Sequence, residues 1–262
     1  MIFINYIHEL IKNGKCTFSI EDAEKTLNKS RKAIRSSIEH LLAKKELASP
    51  AKGFYVIVPP EYQVLECIPA EYFIPYLMEY WGSNYYASLL TAAKYHGASH
   101  HAVMVFQVMI EKPRPAITCG KVRIKFITNK NLMSAFTQKI STKMSMLTIS
   151  TPETTAMDLL NYPNQSGGLN QITTVLSELQ ESISPEKLRT LGENNRTLAW
   201  KQRLGYILEN LGASELAEVL RNNLSKEKRI DYIPLAPEST VKNAKKNVTW
   251  KIIENTTIES DI

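Results

Sequence analysis

The first sixty residues change their hydrophobic period once, and this change limits the fold more than any other feature of the chain. Up to Leu47, apolar residues recur at helical spacing in three blocks. Ile4, Ile7, Leu10 and Ile11 mark a first helix that stops near Asn13-Gly14. Phe18, Ser19 and Ile20 open a short second helix, with Ser19 as N-cap, Asp22 three residues on, and Ile20, Ala23 and Leu27 on one face. Asn28 or Ser30 opens a third helix, with Ala33, Ile34, Ile38, Leu41 and Leu42 on its apolar side. Beyond Leu47, ASPAKG reads as a turn and FYVIVPP as a β-branched and aromatic strand run. Helix, helix, helix, hairpin is the outline of a winged helix-turn-helix over residues 1–60. In that motif the third helix enters the major groove and the hairpin touches the backbone.

The charge on the third helix fits this outline. NKSRKAIRSS carries Lys29, Arg31, Lys32 and Arg35 and no acidic residue. Basic side chains on an exposed helix face often do no more than solvate it. Here they lie in the first turns, where recognition helices contact bases, and Ser30, Ser36 and Ser37 add short hydrogen-bonding groups beside them. Arg31 and Arg35 are one turn apart and are assigned to bases, because a guanidinium pairs with guanine in a bidentate way. Lys29, Lys32 and Lys52, the last at the hairpin tip, are assigned to phosphates.

Pro59, Pro60, Pro69 and Pro75 cluster next, so residues 61–73 read as a proline-rich linker. A larger mixed α/β region spans 74–225. YLMEYW and YYASLLTAAKYHG read as helices, then VMVFQVMI, KVRIKFIT and MLTIS as strands. KVRIKFI alternates, with Val122, Ile124 and Phe126 on one face and Lys121, Arg123 and Lys125 on the other. Residues 111–146 carry a net +7, more than the +6 of all 262 residues. That concentration makes Arg114, Lys121, Arg123, Lys125 and Lys130 a second basic surface, suited to a polyanion or an acidic protein. Helices follow: STPETTAMDLLNYP with Ser150 or Thr151 as cap and Pro152 near its first position, then LNQITTVLSELQ, SPEKLRTLGE, TLAWKQRLGYILENLG and SELAEVLRNNL. Residues 226–262 read as a partly flexible extension with a strand-like piece at VTWKII. The fold class expected is α+β: a winged helix-turn-helix, then a mixed domain with a basic-faced sheet and several C-terminal helices.

Several function classes are excluded by composition. No apolar run approaches the roughly 20 residues of a membrane helix. Cys16, Cys67 and Cys119 are too few and too scattered for a disulfide framework or a zinc site, which points to a reducing cytoplasm. Trp81-Gly82-Ser83 looks like the opening turn of a nucleotidyltransferase, but AAKYHGASHH follows without the carboxylates that metal-assisted transfer needs. His96, His100 and His101 lack a nearby carboxylate or cysteine and read as a loop. Glu153 is better explained by the helix N-terminus, and Asp158 by pairing with a basic neighbour, than the two as a nuclease pair. The tyrosines at 85, 86 and 95 read as packing residues. No enzyme, cofactor or metal is expected.

Six strings in order resemble the AbiEi family of antitoxins and transcriptional regulators from type IV, abortive-infection toxin–antitoxin systems. They are YYASLLTAAKYHGAS (85–99), VFQVM (105–109), KVRIKFI (121–127), STPETTAMDLL (150–160), GGLNQITTVLSEL (167–179) and RLGYILENLG (203–212). With the N-terminal pattern, the resemblance covers about four-fifths of the chain. It implies an N-terminal winged helix that binds repeats in its own promoter and represses the operon, and a C-terminal domain associated with antitoxicity. The implied partner is AbiEii, a nucleotidyltransferase-like toxin, with which a stable complex need not form. Carried over, Ser30 to Ser37 and Lys52 become operator contacts, and the 121–125 face a further contact surface. The alternative is a winged-helix transcription factor with a ligand- or protein-sensing C-terminal domain and no toxin.

Overall fold

A computed structural model describes residues 2–98 and 104–257. It resolves into two compact units, Met1–Ala87 with Met104–Leu132 and Lys139–Ile149, and Ser88–Val103 with Met133–Gln138 and Ser150–Ile262. Among the described residues, helices and three sheets make a mixed α+β protein.

The first unit opens with α1 (Phe3–Lys12), β1 (Thr17–Ser19), α2 (Ile20–Leu27), α3 (Arg31–Ala43), β2 (Leu47–Ala51) and β3 (Phe54–Ile57). Ser19 caps α2 as expected: its hydroxyl accepts Asp22 N–H at 3.1 Å, and the Asp22 carboxylate accepts Ser19 N–H at 3.1 Å. Of the two residues that could open α3, Ser30 does so. Asn28 instead closes α2 with φ +49°, a left-handed conformation that asparagine tolerates. One strand was not expected. Phe18, expected to open the second helix, instead extends with Thr17 and pairs antiparallel with β3, in the order β1-β3-β2. Phe18 lies opposite Tyr55 and stacks on it at 5.4 Å. Phe3, Tyr6, Phe18, Ile34, Ile38 and Leu41 belong to one buried cluster beneath these elements. Ile34, Ile38 and Leu41 keep the helical spacing that turns the cationic side of α3 outward.

Residues 61–73 are not a free linker. Cys67 and Ile68 are fully buried, and α4 (Ala70–Tyr80) starts within the stretch. The prolines sit where they do little harm. Pro69 precedes the first turn, where no intrahelical N–H bond is lost. Pro75 is inside α4 and cannot bond to the carbonyl of Glu71, but the Ser145 hydroxyl donates to that carbonyl at 2.7 Å.

Tyr80, at the end of α4, fixes the β2–β3 turn. Its hydroxyl donates to the Lys52 carbonyl at 3.3 Å and its ring packs 5.4 Å from that of Phe54. Gly53 has φ +79°, and a Cβ there would lie 2.8 Å from the Tyr80 hydroxyl. Gly53→Ala is therefore expected to destabilise the first unit by about 1 kcal/mol. A thermal melt unchanged by the substitution would contradict this account of the turn.

A six-stranded sheet carries β4 (Tyr85–Ala87), β5 (Phe106–Ile110), β6 (Ile117–Cys119), β7 (Val122–Thr128), β8 (Thr137–Ser141) and β9 (Met146–Ser150), in the order β6-β7-β5-β4-β9-β8. β5 and β7 run parallel, while β6–β7 and β4–β5 are antiparallel. The expected helix over YYASLLTAAKYHG is corrected. Tyr85–Ala87 form β4, with Tyr86 buried opposite Met109, and α5 spans only Leu89–Tyr95. Sheet pairing outweighs the helical pattern of the residues that follow.

In the second unit, α5 is joined by α6 (Pro152–Asn161), α7 (Gly168–Leu179), α8 (Pro185–Asn194), α9 (Ala199–Asn210) and α10 (Ser214–Ser225). Thr151 caps α6, accepting Thr154 N–H at 3.4 Å, and Pro152 takes the first position. Glu153 does more than meet the helix dipole: it is buried, and its carboxylate accepts Ser184 N–H at 2.8 Å, tying α6 to the start of α8. After residue 225 the described residues form a further sheet, where the sequence suggested one strand-like piece at VTWKII. β10 (Ile233–Pro234), β11 (Lys245–Asn247) and β12 (Ile252–Glu254) form a sheet in the order β10-β12-β11. Trp250 is fully buried, its ring against Gly205 of α9 and its indole N–H donating to Glu209 at 2.7 Å. Gln202 of α9 donates to the Trp250 carbonyl at 3.2 Å.

Candidate nucleic-acid interface

The outward side of α3 is built from one helical alternation. With Ile34, Ile38 and Leu41 buried, Lys29, Arg31, Lys32, Arg35 and Ser36 are exposed. Ser30 is committed locally, accepting Ala33 N–H at 3.4 Å, and Ser37 donates to the Ala33 carbonyl at 3.2 Å. The two arginines differ. Arg31 reaches back to α2, pairing with Glu21 at 2.9 Å and Glu24 at 3.6 Å. Arg35 has no ion-pair partner among the described residues, and neither do Lys29 and Lys32. An exposed pair such as Arg31–Glu21 is worth only about 0.2–1 kcal/mol, so a phosphate or base can displace it at modest cost. Lys52 projects from the β2–β3 turn, exposed, while its backbone is held by Tyr80.

Tyr55 joins this side of the unit and was missed in the sequence, where FYVIVPP reads only as a β-branched and aromatic strand run. In β3 the neighbours Phe54 and Val56 are buried and Tyr55 is only half-buried. Burial pushes its phenol above the ordinary value, and the positive charges of Arg35 and Arg31 draw it back down. The phenol therefore lies in the field of both arginines. The alternation Phe54-Tyr55-Val56 was the available signal.

The second basic surface is smaller than expected. Arg123 and Lys125 of β7 are exposed on one face while Ile124 is buried on the other. Lys121 and Lys130, at either end of the strand, are also exposed. Farther along the basic face, Ile127 is buried, and so is Gln107, the residue in register with Lys125. Arg114 does not belong with this group. Its guanidinium lies 3.9 Å over the Trp81 ring, and Trp81 meets Phe126 edge-on at 5.7 Å. Phe126 points to the face opposite Arg123 and Lys125.

Other candidates behave as packing. His96 lies 2.8 Å from the Ser150 carbonyl, and burial lowers its pKa below the ordinary value. His100 and His101 lie outside the described residues. Among the described residues no group of histidine, cysteine and carboxylate side chains could hold a metal, and no helix is long and apolar enough to cross a membrane. All three cysteines are buried and free.

Residues 86–210 match the family model for the AbiEi antitoxin C-terminal domain. This stretch is therefore similar to the antitoxin domain of the AbiEi family from abortive-infection toxin–antitoxin systems. The fold is similar to the crystal structure of the RV2827C protein from Mycobacterium tuberculosis, with TM-score 0.69 and 16% identity over 95% of this chain and 89% of that one. No curated protein matches the sequence.

Proposed function

We propose that this protein is the antitoxin of a type IV system. It counters a nucleotidyltransferase-like AbiEii toxin without needing to hold it in a stable complex, and it represses its own operon. The observation that carries the reading is a stretch similar to the AbiEi antitoxin domain joined, in one chain, to a helical element that exposes unpaired cations. Residues 1–60 are read as a winged helix-turn-helix for repeats in the promoter, with α3 in the major groove and the β2–β3 hairpin as the wing. Arg35 and Arg31 contact bases, Lys29, Lys32 and Lys52 contact phosphates, and Ser30 and Ser36 flank them. Residues 74–225 carry the antitoxic role. Lys121, Arg123, Lys125 and Lys130 meet the duplex flanking the operator.

A gel shift of the full chain on the DNA upstream of its reading frame, repeated across salt concentrations, tests the DNA part. Each neutralised phosphate contributes about −0.9 to the slope of log affinity against log salt, so the seven lysine and arginine contacts outside the two base-reading arginines give roughly −6. A flat salt response, or no shift at low salt, would remove the operator assignment.

A further inference from the structure

Arg114 is the one member of the expected basic surface that the fold builds into an aromatic stack. It lies in the β5–β6 turn between Pro113 and Pro115, whose rings each hold φ near about −65° and limit the turn's freedom. One face of its guanidinium is covered by Trp81 at 3.9 Å, and Trp81 is backed by Phe126 at 5.7 Å. Stacking uses the π-face of the guanidinium and leaves its in-plane N–H donors for another acceptor. No carboxylate pairs with Arg114 among the described residues. A stacked and unpaired arginine has already lost part of its hydration and rotamer freedom, so an incoming anion meets a pre-organised fork.

Its position says which anion. Trp81 follows Tyr80 in the chain, and Tyr80 grips the β2–β3 turn through the Lys52 carbonyl and the Phe54 ring. β2, which leads into the turn that presents Lys52, packs against β6, which follows the Arg114 turn, within the same compact unit.

We propose that Arg114 is a wing-side contact for the phosphate backbone of duplex DNA, and that Trp81 is its positioning residue. The inference rests on the promoter-binding reading. It makes the DNA surface run from α3 over the hairpin to the end of α4, and it separates Arg114 from the β7 lysines in role as well as in place.

The test uses full-length protein and a labelled duplex of the upstream DNA, titrated at several salt concentrations, with thermal melts to show that each variant folds. Arg114→Ala is expected to weaken binding several-fold and to reduce the magnitude of the salt slope by about 0.9. Arg114→Lys keeps the charge but loses the fork, and is expected to recover only part of the affinity. Trp81→Leu leaves the net charge unchanged and should weaken binding as Arg114→Lys does, while Trp81→Phe, which keeps an aromatic face, restores most of it. Arg35→Glu serves as the reference. If it abolishes binding while Arg114→Ala changes neither affinity nor slope, this inference fails and the promoter reading stands. Full binding by Arg114→Lys and Trp81→Leu would likewise overturn the pre-organisation. If Arg35→Glu binds like the wild type, the recognition-helix reading fails as well.

Discussion

Arg35→Glu is expected to abolish promoter binding, by roughly 100-fold or more, and to leave the thermal melt unchanged. Loss of one bidentate base contact costs about 1–3 kcal/mol, and a carboxylate facing the duplex adds repulsion. Arg35 is exposed and has no ion-pair partner among the described residues, so its replacement breaks no ion pair. Arg31→Glu is a different experiment. Arg31 is shared with Glu21 and Glu24, so reversing it also places three carboxylates together at the start of α3. Its effect mixes lost recognition with local repulsion, and its melt is expected to fall. Glu21→Gln separates the two: releasing Arg31 from its 2.9 Å partner should tighten promoter binding modestly. Wild-type affinity in Arg35→Glu would sink the recognition-helix assignment. Weaker binding in Glu21→Gln would show that the pair positions Arg31 for DNA instead of competing with it.

Trp250→Ala is expected to have the largest effect on stability, about 3–5 kcal/mol lost from the second unit. The indole is fully buried, packs on Gly205 and donates to Glu209, which also pairs with Arg221 of α10. Removing the ring empties the space that Gly205 leaves open and strips Glu209 of its indole donor. Gly205→Ala approaches the same contact from the other side, since a Cβ there would overlap the ring. Denaturant unfolding followed by far-ultraviolet circular dichroism reads both variants. A loss below about 1 kcal/mol for Trp250→Ala would mean that residues 226–257 only lie on the unit.

The elements legible in the sequence were those with a long period or a local cap. The three N-terminal helices announced themselves through Ile34-Ile38-Leu41 and the Ser19–Asp22 box. The alternation of β7 was plain from Lys121 to Phe126, and Thr151-Pro152 opened α6. What stayed hidden was fixed by distant residues. β1 and β4 have three residues each, too few to show a period, and exist because β3 and β5 pair with them. The proline cluster looked like a linker because sequence cannot show Ser145 supplying the bond that Pro75 forfeits. The same holds for the site. The exposed side of α3 could be read from spacing, and Lys52 from its place in a turn. That Glu21 and Glu24 hold Arg31, that Tyr55 feels the charge of both arginines, and that Arg114 stacks on Trp81 are tertiary facts. Trp250 was noticed only as part of a weak strand, because its partner Gly205 lies 45 residues earlier.

The central claim is that this chain protects a cell from a neighbouring nucleotidyltransferase, and growth rescue measures it directly. The toxin gene would be expressed with the full-length wild-type protein or with Arg35→Glu, both from an unrelated promoter. The account predicts that growth is restored by both proteins, because promoter recognition and antitoxicity reside in different parts of the chain. Failure of the folded wild-type protein to restore growth would contradict the antitoxin reading itself.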